Sequence, residues 1–115
     1  MRKELSDFVK IKVLIKNDTT LEFTIRASNS VIFDESAKKS TAGILYQQAL
    51  TLIITREESK RIPALPISYK AIVELSDCDD IYTWGTEDIP VDITVTPRLE
   101  TVQLAMSCNS LHPLL

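Results

Sequence analysis

The residues best suited to chemistry in this chain are the carboxylates around two adjacent turns: Asp77, Asp79, Asp80, Glu87 and Asp88. Oxygen ligands at that density could hold a hard cation such as Ca²⁺. The spacing departs from an EF-hand loop, because Ile81 stands where the third ligand belongs and no glycine follows at the bend. The competing reading is conformational: Asp side chains hydrogen-bond the backbone two residues on and so favour turns and solvated hairpin tips. Glycoside chemistry by paired carboxylates would also need a cleft, and nothing in the pattern builds one.

The remaining reactive side chains are isolated. The single histidine, His112, lies beside Pro113 near the end of the sequence, with no nucleophile or orienting acid spaced to form a triad with it. Cys78 and Cys108 form no C-x-x-C pair, so a zinc or redox centre is not expected and both read as free thiols. Gly43 and Gly85 stand alone, which excludes a phosphate-cradling loop, and the G-x-S-x-G, H-E-x-x-H and G-K-[ST] motifs are absent. The chain is therefore read as non-enzymatic, with no cofactor and no metal. Tyr82 and Trp84 share a parity and are the candidate interaction residues. They form either an exposed aromatic contact patch or, with Trp84 closing one end of the core, part of the interior.

The elements that carry these residues are extended. Val9, Ile11, Val13 and Ile15 alternate with Lys10, Lys12, Leu14 and Lys16, which predicts a half-buried strand. Asn17 to Thr20 supplies turn chemistry, and Leu21, Phe23 and Ile25 alternate with Glu22, Thr24 and Arg26 to complete a hairpin. Val31, Ile32 and Phe33 suggest a brief strand, after which the polar run Asp34 to Thr41 reads as a long loop. Ile44 to Thr55 fits either a strand or a helix stripe, and its β-branched residues favour the strand. Thr55 to Glu58 matches a capping box in which Glu58 would reach back to the cap, and Pro63 and Pro66 limit the helix to a turn or two.

The second half reads as a meander. Tyr69, Ala71, Val73 and Leu75 form one stripe; Ile81 to Trp84 returns; Val91, Ile93 and Val95, then Val102, Leu104, Met106 and Cys108, form two more. Short strands at regular spacing predict a mostly β fold, an antiparallel sandwich or small barrel with one short helix, occupying residues 1–115 as a single domain. The tail from Asn109 to Leu115 is expected to fray or to dock on a neighbour.

Charge narrows the partners. Thirteen basic and sixteen acidic side chains leave a formal net charge of −3, against nucleic-acid binding, which calls for a basic stripe. Lys10, Lys12 and Lys16 read as one solvated strand face. No apolar run approaches the ~20 residues of a membrane span, and lysines interrupt the first hydrophobic stretch, so neither a membrane nor a signal peptide is expected.

The stretch from Tyr69 to Leu111 carries a resemblance. A strand, Tyr69 to Leu75, is followed by an acidic turn, then Ile81-Tyr82-Thr83-Trp84-Gly85-Thr86, then the Pro-led strand Pro90-Val91-Asp92-Ile93-Thr94-Val95. This resembles small β proteins encoded among the tail, neck and baseplate genes of bacterial prophages. The helix-like segment Glu57 to Leu65 suits that arrangement, while Asp80 replaces a glycine usual in the acidic turn. The resemblance covers about half the chain. It implies a structural protein that transfers no catalytic residue and whose partners are other particle proteins or further copies of itself. It further implies a cytoplasmic pool before assembly and, after it, a place in the virion. The alternative from the residues alone is a small ligand- or cation-binding β module.

Overall fold

The computed structural model describes residues 2–15, 20–41, 43–63 and 66–115. Where apolar and polar side chains alternate, strands form, because a pleated backbone turns successive side chains to opposite faces. In chain order the strands are β1 (Arg2–Leu5), β2 (Phe8–Leu14), β3 (Thr20–Arg26), β4 (Val31–Ser40) and β5 (Gly43–Thr55). A short helix, α1 (Arg56–Ser59), precedes β6 (Ser68–Ser76), β7 (Ile81–Trp84), β8 (Val91–Pro97) and β9 (Thr101–Ser110). Strand accounts for 66% of the structure, so the mostly antiparallel β class is correct.

The nine strands among the described residues form one sheet, in the order β1-β4-β5-β9-β8-β6-β2-β3, with β7 on β6. Every pairing is antiparallel, and the sheet curls into a half-barrel. β7 and β8 both pair with β6, β7 with its C-terminal half and β8 with its N-terminal half. The backbone N–H of Ser28 donates to Ile53 O at 2.7 Å, and the Asn29 side chain bridges Ile53 N and Thr51 O, bringing the β3–β4 connection against β5.

The core lies inside the curl. Val9, Ile11 and Val13 of β2 are buried, as are Tyr69, Ala71, Val73 and Leu75 of β6, matching the alternation in the sequence. Leu52, Ile54, Ile93 and Leu104 fill the centre. Each such aliphatic side chain stabilises the fold by about 1.5–3 kcal/mol relative to exposure. Burial raises the Tyr69 hydroxyl to a pKa of about 12.

Several expectations need correction. The polar run after Phe33 is not a loop: β4 continues to Ser40 and stays in register with β5 from Asp34↔Ala49 to Ser40↔Gly43. Backbone pairing needs no apolar alternation, and from Ser36 to Lys39, where both faces are exposed, there is none to read. Ile44 to Thr55 is wholly strand within β5, as its β-branched content favours. Arg2–Leu5 forms a strand that Arg, Lys and Glu disguise. Ile15 continues the parity of Val13 but lies beyond the end of β2 and is 46% exposed. Lys16 of the lysine face and residues 17–19 of the hairpin turn lie outside the described residues, as do Ala64 and Leu65 at the end of the helix-like segment.

α1 forms as half a capping box. Thr55 Oγ1 accepts from the Glu58 N–H at 3.1 Å. The Glu58 carboxylate does not complete the box; it accepts instead from the Arg26 N–H at 3.1 Å, tying α1 to the end of β3.

Candidate interaction surfaces

The acidic turn between β6 and β7 is built around one carboxylate. Asp77 Oδ1 accepts from the backbone N–H groups of Asp79 (2.9 Å) and Asp80 (2.7 Å), an Asx-type turn. Its Oδ2 accepts from the Tyr82 hydroxyl at 3.1 Å and from the Lys3 ammonium at 2.7 Å. The Lys3 hydrogen bond, joined by those backbone N–H groups, holds the Asp77 carboxyl well below the usual carboxylate range. Its bonds to Asp77 and Tyr82 in turn raise the Lys3 ammonium. The Asp77 carboxylate thus serves the turn and pins β1 to it. Among the described residues, no group of three or more His, Cys, Asp or Glu converges as a metal site would require.

Of the two residues singled out for interaction, Trp84 lies in the interior, 1% exposed. Its indole N–H donates to Gln48 Oε1 at 2.9 Å, and its ring meets Phe33 edge-on with centroids 5.0 Å apart. Trp84 thus takes the second of the two roles open to it, closing the core. Tyr82 is half-buried, with its hydroxyl engaged by Lys3 and Asp77. Cys78 is exposed and Cys108 buried, both as free thiols; burial first, and then the charge of Asp92, pushes the Cys108 thiol up.

Sequence reasoning missed a buried polar network at the root of the β4–β5 hairpin. Glu35 and Gln48 are only 6% and 3% exposed. Glu35 Oε2 accepts from Gln48 Nε2 and from the Leu114 N–H, both at 2.7 Å, and Oε1 accepts from the Leu115 N–H at 3.4 Å. The end of the tail is therefore held against the body of its own chain rather than frayed. Asn109 and Ser110 complete β9, and Leu114 and Leu115 pack against the core over Glu35. A parity signal existed: Val31, Phe33 and Glu35 alternate, so an extended β4 would have aimed Glu35 inward.

Beyond this network the hairpin leaves the body. β9 pairs with β5 only from Tyr46 to Thr55, and β1 pairs with β4 only through Asp34. From Lys38↔Leu45 outward, β4 and β5 form a two-stranded ribbon. Lys38 and Lys39 on it are exposed, and Ile44 is 50% exposed. Cross-strand pairing sets Lys39 opposite Ile44 and Lys38 opposite Leu45, so each face of the tip joins a cation to an aliphatic side chain.

No helix among the described residues is long and apolar enough to cross a membrane. No protein-family model, curated protein or solved structure matches the chain.

Proposed function

We propose that this chain is a non-enzymatic assembly protein of a phage or prophage-derived particle, drawn from a cytoplasmic pool and acting through protein–protein contacts. The observation that carries the reading is the ribbon. A two-stranded hairpin alone is marginal in water, and here it extends from the half-barrel with none of Lys38, Lys39, Ile44 and Leu45 in the buried core. An apolar side chain at its tip, half in water beside lysines that form no ion pair among the described residues, is surface suited to a partner rather than to packing within the chain. The resemblance of residues 69–111 to tail, neck and baseplate proteins points the same way. Support for a cation-binding module is weaker, because the central carboxylate, Asp77, is already taken by four donors.

The test is the solution mass of the protein at micromolar concentration, alone and mixed with the products of neighbouring particle genes. Oligomers, or a stoichiometric complex with one of those products, support the reading. A strict monomer that engages none of them contradicts it.

A further inference from the structure

The ribbon has a counterpart at the other end of the same strand pair. A cleft of about 790 Å³ opens where β4 begins and β5 ends, lined by Glu4, Asp7, Arg26, Ser30, Val31 and Glu58. It is an open depression, with the nearly buried Leu5 and Val31 among its lining residues. The ribbon tip lies where β4 ends and β5 begins, so tip and cleft occupy opposite ends of one antiparallel ladder.

Their charges are opposite. Three carboxylates line the cleft against one guanidinium. Asp7 is paired with Arg26 at 3.0 Å, and Glu58 accepts from the Arg26 N–H and lies 3.6 Å from Arg61. Glu4 is exposed and has no ion-pair partner among the described residues. Lys38 and Lys39 at the tip are exposed and likewise without ion pairs among the described residues. A cationic, aliphatic projection thus lies at the opposite end of the ladder from a cleft whose net charge is acidic.

We infer that the ribbon tip of one copy docks in this cleft of a second copy, joining copies head to tail. The inference rests on the assembly reading and names the partner which that reading leaves open. Because the two surfaces differ, the contact is heterologous, and repetition yields a ring if the rotation closes and a filament if it does not. Ionic contacts between tip and rim set the register and suppress wrong pairings, so association weakens as salt rises.

A charge exchange in the full-length chain tests this. One variant carries Lys38→Glu and Lys39→Glu; the other carries Glu4→Lys and Ser30→Lys. All four positions are exposed, and circular dichroism with thermal melting verifies that both variants fold. Each variant alone should self-associate about 100-fold more weakly than the wild type in sedimentation equilibrium, because like charges then meet. Mixed in equal amounts they should reassociate, since each tip now meets a cleft of opposite sign. Wild-type-like association of either variant alone, or a mixture that stays apart, overturns the inference while an oligomeric wild type leaves the assembly reading in place. A monomeric wild type that binds a particle protein also overturns the inference alone. A wild type that binds neither itself nor a particle protein overturns both.

Discussion

The two halves of the β4–β5 ladder share one backbone geometry and follow opposite side-chain rules. From Val31 to Glu35, β4 is flanked by strands or by the docked tail and sends Val31 and Phe33 into the core. From Ser36 outward the same strand pairs, among the described residues, with β5 alone, and its side chains between Ser36 and Lys39 face water. Hydrogen bonding holds both halves in register, but burial stabilises only the first. The difference separates a scaffold from a projection within one hairpin, with the Glu35–Gln48 network at the boundary.

Phe33→Ala removes the ring that meets Trp84 and should cost about 3–5 kcal/mol, read from urea unfolding. Glu35→Ala strips the boundary of its acceptor, leaving the Gln48 amide and the Leu114 N–H without it; a loss of about 1–3 kcal/mol is expected. Hydrogen exchange at Leu114 should accelerate in that variant, and unchanged protection there would show that Glu35 does not hold the tail.

Gly85→Ala probes the scaffold at the β7–β8 link. Gly85 has φ of +90°, and a Cβ there would lie 2.9 Å from Val91 Cγ2 and 3.1 Å from Val91 N. Strain of about 1–3 kcal/mol should lower the melting temperature. Asp77→Asn should have a smaller effect that depends on pH. A carboxyl whose folded pKa is lowered contributes stability above its unfolded value, about 3.9, and loses it as pH falls through the folded value. The gap in melting temperature between wild type and variant should therefore be present at pH 7 and close in strong acid. For Lys3, raised in the fold, the stabilisation is present below about pH 10.4 and is lost as pH rises through the folded value. The smallest effect on stability belongs to the ribbon: Ile44→Ser should change it by no more than about 0.5 kcal/mol.

Much of the scaffold was legible because one face of each strand is buried. Phe8–Leu14, Thr20–Arg26, Ser68–Ser76, Val91–Pro97 and Thr101–Ser110 all show the alternation that burial imposes. The ribbon was illegible for the converse reason: water on both faces selects no period. β1 is four residues long, with three charged side chains, too short to carry a pattern. The Lys3–Asp77 contact joins residues far apart in the chain, which local spacing cannot reveal. Trp84 was placed correctly by one of two open readings, because its parity is that of the core and its indole N–H finds Gln48.

The most direct test of the account is sedimentation velocity of the wild type beside Ile44→Ser, a substitution on the ribbon that leaves the core untouched. The account predicts that the wild type sediments as an assembly and that the variant, equally stable, shifts toward the 12.9 kDa monomer. Identical sedimentation of the two proteins would contradict the claim that the ribbon is the working surface.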